Sequence, residues 1–239
     1  MSLAIVYTRA ALGIEAPLIT VEVHLSNGLP GLTMVGLPET TVKEARDRVR
    51  SALINSGYAF PAKKITINLA PADLPKEGGR YDLPIALALL VASEQLNTTR
   101  LNQYEFVGEL ALTGGLRGVP GAIPSAMEAI KAGRRIVVSS DNAAEVGLIG
   151  GSDCLVADHL QEVCAFLAGQ TSLSPPLAEA PARDERYEDL LDVIGQQQGK
   201  RALEIVAAGG HNLLLIGPPG TGKPMLASRL PGLLPPLSN

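Results

Sequence analysis

Residues 18–25 read LITVEVHL, with an apolar side chain at every second position. This alternation predicts a β-strand with one face toward a core and the other toward solvent. The segments that follow predict a helix over residues 39–55, a strand over 64–69 and an apolar helix over 82–94. Because strands and helices alternate, we expect a mixed fold of the α/β or α+β class around a central sheet.

The same alternation continues to about residue 170, with a hairpin predicted over residues 105–119 and a strand over 135–139. Residues 171–187, TSLSPPLAEAPARDERY, then hold three prolines and a cluster of charges without a hydrophobic period, which predicts a linker. We therefore expect a first domain over residues 1–170, a linker over 171–187, and the start of a second domain over 188–239.

Composition excludes several classes of protein. The chain has 239 residues, of which 46% are hydrophobic, so it has ample material for a core and is not a disordered chain. Its net charge of −4 argues against coating nucleic acid by bulk charge alone. Two cysteines, Cys154 and Cys164, are too few for a disulfide scaffold or a four-cysteine zinc site, and we expect both to be buried.

No metal site or membrane segment is predicted. His24, His159 and His211 are scattered, without a partner at helical spacing or a nearby cysteine. There is no uninterrupted apolar run of about 18 residues, and the N-terminus has no basic region of the kind that begins a signal peptide. We therefore expect a cytoplasmic protein.

A phosphate-binding loop pattern lies near the C-terminal end of the sequence. Glycines let backbone N–H groups surround phosphate oxygens, and a lysine at the end of the loop reaches the β- and γ-phosphates. A strand over residues 213–216 and a helix over 225–230 are predicted on its two sides, as this motif requires. The loop residues are Gly217, Pro218, Pro219, Gly220, Thr221, Gly222 and Lys223.

The position after Lys223 departs from the pattern. It is Pro224, where serine or threonine supplies a hydroxyl for Mg²⁺, and proline also lacks the backbone N–H. Loss of that N–H alone predicts nucleotide binding weaker by roughly ten- to a hundredfold. No Asp or Glu follows Glu204, so we expect this chain by itself not to hydrolyse ATP.

Several motifs together resemble the ComM/YifB family of magnesium-chelatase-like AAA+ ATPases. They are VGLP at residues 35–38, NLAPAD at 68–73, PKEG at 75–78 and the run from residue 192 to 237 that contains the loop. The resemblance covers essentially the whole chain and implies that the AAA+ module is truncated. It implies a ribosomal-S5-domain-2-like fold, shared with the Lon protease domain, for residues 1–170.

The resemblance also implies a function. ComM proteins resemble hexameric ring helicases that drive branch migration of DNA during natural transformation, so the resemblance implies ATP and Mg²⁺ as cofactors and DNA as a partner. Ile194 and Gly195, which precede the loop, are the positions implied to contact the adenine. The alternatives are a chelatase-like or chaperone-like AAA+ remodeller that acts on a protein partner, and a remnant without activity.

The Lon likeness raises the question of a Ser–Lys protease dyad. Arg80 stands at the position of the serine, and an arginine is not a nucleophile. Pro124 stands where the lysine is expected. We therefore expect no peptidase activity.

A basic stretch is the candidate nucleic-acid contact. Three of its members have helical spacing, so they share one face of the predicted 39–55 helix and could follow a phosphate backbone. Spacing alone favours the simpler interpretation of a solvated helix face with ion pairs. Because aromatic residues make up only 3% of the chain, DNA contacts are expected mostly at phosphates. The candidates are Lys43, Arg46, Arg50, Lys63 and Lys64.

Overall fold

The computed structural model of the chain describes residues 2–36, 44–149, 153–176 and 187–234. The chain divides into two compact units, Met1–Glu179 and Ala180–Asn239. We describe each unit by itself.

The first unit is built on a central sheet. The strands are β1 (Ser2–Arg9), β2 (Leu18–Ser26), β3 (Gly31–Val35), β4 (Lys64–Ala70), β5 (Tyr104–Phe106), β6 (Glu109–Leu110), β7 (Leu116–Arg117), β8 (Arg135–Ser139) and β9 (Cys154–Ala157). Among the described residues, seven of these strands form the sheet in the order β3-β4-β2-β1-β5-β8-β9, and β6 pairs separately with β7. Four of the six pairings in the sheet are parallel, and the antiparallel ones join β1 to β2 and β2 to β4.

The helices of the first unit pack on this sheet. Helix α2 (Asp82–Ala92) is apolar on all sides and buries every residue except Val91. It packs on β1 and β2, and α1 (Ala45–Asn55) covers it. On β8, Ile136 and Val138 pack into one cluster and Val137 into another, so this strand is covered on both faces. The helices are α1 (Ala45–Asn55), α2 (Asp82–Ala92), α3 (Ala122–Lys131), α4 (Ala143–Gly147) and α5 (Leu160–Leu167).

The strand predicted at residues 18–25 is confirmed. In β2, the side chains of Ile19, Val21, Val23 and Leu25 are buried and those between them are partly exposed. The mixed α/β class is confirmed as well, with a mostly parallel sheet. The ribosomal-S5-domain-2-like assignment stays a prediction.

Two predicted elements of the first unit differ in the structure. Of the helix predicted over residues 39–55, the described part begins at Ala45, and residues 39–43 lie outside the described residues. The hairpin predicted over residues 105–119 is shorter, since only Glu109–Leu110 and Leu116–Arg117 pair with each other. The preceding β5 belongs to the main sheet, where it pairs with β1 and β8.

The second unit has a small core formed by Leu190, Val193, Leu203 and Leu226. The strand predicted over residues 213–216 is wrong, because no strand forms in residues 187–234. A strand needs a neighbour for its backbone hydrogen bonds, and this described segment contains none. The unit contains a 3₁₀ turn (Leu190–Asp192) and the helices α6 (Gln197–Gly209), α7 (Lys223–Ala227) and α8 (Leu230–Leu233).

Within the described parts of both units, no helix combines the length and the apolar character needed to cross a bilayer.

Candidate functional site

The phosphate-loop residues form a closed turn between α6 and α7. The Nζ atom of Lys223 donates to the carbonyl oxygens of Gly217 and Pro218, each at 2.8 Å. The hydroxyl of Thr221 donates to the same Pro218 oxygen at 2.9 Å. The lysine therefore has an ordered position in the loop, and a bound phosphate would replace carbonyl oxygens as its partners.

Two glycines make this turn possible. Gly220 and Gly222 have φ values of +81° and +77°, in the left-handed region that glycine adopts at no steric cost. The Gly222 carbonyl accepts the first hydrogen bond of α7, from Leu226 N at 3.0 Å. Leu226 in turn is buried, and its Cδ1 lies close to Gly199 of α6, where a Cβ would come within 2.8 Å of it. The helix after the loop is thus anchored on α6.

The segment predicted to contact the adenine lies just before α6. Ile194 is 96% exposed, so its side chain is free to meet a planar ligand, and Gly195 has a φ of +76°. The next residue, Gln196, donates from Nε2 to the Thr221 carbonyl oxygen at 3.1 Å. The structure therefore joins the two predicted parts of the site through Gln196, which the sequence analysis missed. Nothing in the sequence around Gln196 signals this contact.

Pro224 and Glu188 bear on whether this loop could hold a metal ion. Pro224 lies in the first turn of α7, which tolerates its missing N–H, and it offers no hydroxyl. Glu188, which bonds to Ser228 and Arg229, is already engaged. The described residues contain no group of three His, Cys, Asp or Glu side chains that could hold a metal.

The candidate nucleic-acid residues lie in the first unit. Arg46 and Arg50 are exposed one turn apart on α1, while Lys63 and Lys64 are exposed at the start of β4. The Arg50 guanidinium lies 5.0 Å from the centre of the Phe60 ring, in the loop that leads from α1 to β4. Lys43 lies outside the described residues.

Of these residues, Arg46 has a weak ion pair, with its Nε 3.6 Å from the Asp47 carboxylate and both side chains exposed. Such a pair contributes little and leaves the charge available to a phosphate. Arg48 on the same helix is different, because it makes two bonds to the buried carboxylate of Asp82, at 2.7 and 3.1 Å. The hydrogen bond to Asp82 raises the pKa of Arg48. We therefore assign Arg48 a role in stabilising the fold and none in binding DNA.

The residues at the predicted protease positions have structural contacts. Arg80 is buried and donates to the carbonyl oxygens of Arg9 and Pro120. Pro124 lies in the first turn of α3. Among the described residues, the positions of Arg80 and Pro124 therefore hold no serine paired with a lysine.

Comparisons with known proteins match both units. The family model described as subunit ChlI of Mg-chelatase matches residues 21–142, and the model described as magnesium chelatase, subunit ChlI, matches residues 189–239. An uncharacterized protein YifB of Salmonella typhimurium is 77% identical over the whole chain, and its Escherichia coli counterpart is 75% identical. The competence protein ComM of Haemophilus influenzae is 58% identical, again over the whole chain. The chain spans about half of each relative, 47% of the YifB proteins and 48% of ComM.

Proposed function

The chain belongs to the family of magnesium-chelatase ChlI subunits, together with YifB and ComM, and from this membership we propose that residues Gly217–Lys223 bind the phosphates of ATP. The observation that carries the proposal is the closed loop around the Lys223 ammonium, with left-handed glycines on both sides of Thr221. Such loops present backbone N–H groups to phosphate oxygens. The exposed segment at Ile194 and Gly195 would receive the adenine.

The test is nucleotide affinity, measured with a fluorescent ATP analogue in the presence and absence of Mg²⁺. We expect weak binding by the chain, tightened roughly ten- to a hundredfold in Pro224→Thr, which restores the N–H and the hydroxyl. Binding in Pro224→Thr should also become dependent on Mg²⁺. Lys223→Ala should abolish binding in both backgrounds.

A matched control comes from another half-buried lysine of the second unit, Lys200. Lys200→Ala removes the same charge on α6, and we expect it to leave the affinity unchanged. If Pro224→Thr binds no better than the chain itself, or if Lys223→Ala binds equally well, the phosphate site is not at this loop.

We further propose that the whole protein, as a homo-hexameric ring, uses ATP to process DNA in the manner of a branch-migration helicase. In this proposal, residues 1–170 form a ring-forming and DNA-facing domain, residues 171–187 a linker, and residues 188–239 the beginning of the AAA+ ATPase domain. The proposal is supported by the 58% identity to a competence protein and by the exposed cations of α1 and β4. Mg²⁺ ligands would then come from parts of the relatives that this chain does not span.

Retention of DNA by the chain at increasing salt tests the DNA-facing surface. In the double variant Arg46→Ala, Arg50→Ala, affinity should fall less steeply with salt. The slope of log affinity against log salt should become less negative by about 1.5, as the loss of two phosphate contacts predicts. Lys131→Ala is the control, because it removes an exposed positive charge on α3, outside the proposed DNA-facing cations of α1 and β4. An unchanged slope in the double variant, or no retention of DNA at low salt, would count against DNA and favour a remodeller that acts on a protein partner.

A further inference from the structure

We propose that Gln196 is a positioning residue that orients the phosphate loop through the carbonyl group of Thr221. The proposal rests on the nucleotide site proposed above and adds a residue to it. Gln196 would act on the phosphates through the loop, without touching the nucleotide itself.

The contact joins two segments that are 25 residues apart, with Gln196 Nε2 3.1 Å from Thr221 O. The backbone of Gln196 is held at the other end, since its carbonyl accepts from Lys200 N at 2.9 Å in the first turn of α6. The side chain of Gln196 therefore reaches the loop from a backbone that α6 holds in place. Thr221 lies between two glycines with left-handed φ values, Gly220 and Gly222.

Peptide geometry gives this contact a consequence for phosphate binding. The carbonyl of Thr221 and the N–H of Gly222 belong to one planar trans peptide, so they point in opposite directions. When Gln196 holds the carbonyl, it also directs the Gly222 N–H to the other side of that peptide. We infer that this N–H is one of the donors that the loop presents to a phosphate oxygen.

The backbone of Gln196 gives independent support. Its φ and ψ are +52° and +38°, a left-handed conformation that is unfavourable for a residue with a Cβ. Of the described residues other than glycine, Glu94 alone shares a positive φ with it. Glycine is the residue that such a backbone favours. The hydrogen bond of the Gln196 side chain to the Thr221 carbonyl gives a reason for a glutamine at this position.

Three variants separate the possible roles. Gln196→Gly removes the side chain and relieves the backbone, Gln196→Glu keeps its length but removes the N–H donor, and Gln198→Ala is a neighbouring exposed control. Each variant is tested for displacement of a fluorescent ATP analogue by ATP, by inorganic triphosphate and by adenosine, and for its melting temperature. These measurements use the whole chain.

We expect Gln196→Gly and Gln196→Glu to bind ATP and triphosphate about three- to tenfold more weakly, as the loss of one hydrogen bond predicts. Adenosine affinity should stay the same in both variants. The melting temperature of Gln196→Gly should not fall, because glycine relieves the left-handed backbone. Gln198→Ala should match the parent chain throughout.

The remaining outcomes are decisive as well. Unchanged triphosphate affinity overturns the proposal, and an equal loss for adenosine and triphosphate assigns Gln196 to general stability or to the base. If the parent chain binds none of the three ligands, the nucleotide site itself fails, and amide exchange decides on Gln196 separately. Faster exchange over residues 217–222 in Gln196→Gly then supports its positioning role, and equal exchange overturns it.

Discussion

Replacement of Glu105 by glutamine is expected to destabilise the first unit strongly. Glu105 is fully buried in β5, and its carboxylate accepts hydrogen bonds from Arg9 Nε at 2.6 Å and Arg9 Nη2 at 2.7 Å. Arg134 adds a third bond from Nε at 2.9 Å. Glu105→Gln keeps the shape of the side chain but leaves two arginines without their counter-charge.

The size of the effect follows from the burial of Arg9. Its side chain is 6% exposed, and loss of one partner of a buried ion pair costs about 3–5 kcal/mol. Because Arg9 keeps its bonds to the carbonyl oxygens of Ala16 and Glu128, we expect the low end, about 3 kcal/mol. That loss is a large fraction of the roughly 5–15 kcal/mol by which domains are stable.

Urea unfolding followed by far-UV circular dichroism measures this change, since the chain has no tryptophan for fluorescence. With a slope of about 2 kcal/mol per M, the midpoint should fall by about 1.5 M. Glu128→Gln is the control, because its carboxylate pairs with exposed Lys131, and its midpoint should not move. A shift below about 0.5 M in Glu105→Gln would refute the reasoning that Arg9 depends on this carboxylate.

Three further perturbations test other contacts. His159 caps α5 by accepting from Gln161 N through Nδ1, so His159→Ala should lower the free energy of unfolding by about 1 kcal/mol and His159→Asn should retain it, as urea midpoints will show. Burial raises the pKa of Cys164 to about 11, so at pH 8 it stays a protonated thiol, and a thiol reagent should modify it only in denaturant; rapid labelling of the native protein contradicts this burial. Gly36→Ala should be more damaging than Gly57→Ala in thermal unfolding, because both have a positive φ but only at Gly36 would a Cβ meet backbone atoms of Leu69; equal melting temperatures would contradict it.

The elements that sequence analysis predicted well are those whose signal is local. The alternation in residues 18–25 identified β2, and the apolar run from residue 82 identified α2, which the structure ends at Ala92. The strand at residues 135–139 has the same bounds in the structure. In β2 the signal is the alternation of side chains, whereas in α2 and β8 it is a continuous run of apolar residues, and each of these signals can be read from consecutive positions.

The extent of the hairpin at residues 105–119 could not be predicted, because it depends on distant residues. A glutamate at position 105 reads as a solvent-facing residue of a hairpin, whereas its partners are Arg9, 96 residues away, and Arg134. Those arginines allow a carboxylate to be buried in the middle of the sheet. After β5, Gly108 donates to the carbonyl of Arg80, so the chain leaves the sheet before the short pair β6 and β7 begins.

The site shows the same division between local and distant information. The glycines and the lysine of the loop are recognisable because their chemistry lies in consecutive residues. The Gln196 contact depends on packing between α6 and the loop, and no local pattern reports it. The strand expected before the loop was wrong for a related reason, since an apolar run becomes a strand only when another strand pairs with it.

Replacement of Pro224 should affect the stability of the chain and its affinity for nucleotide differently. In α7 the proline lies in the first turn, where a helix needs no N–H from it, and its carbonyl still accepts from Ser228 N at 2.9 Å. Pro224→Thr should therefore change the stability of the chain little. The hydroxyl and N–H that threonine restores face the ligand in the phosphate-loop pattern, so nucleotide affinity should change strongly. A variant that tightens ATP binding without raising the melting temperature would show that the loop is folded for phosphate in the presence of proline.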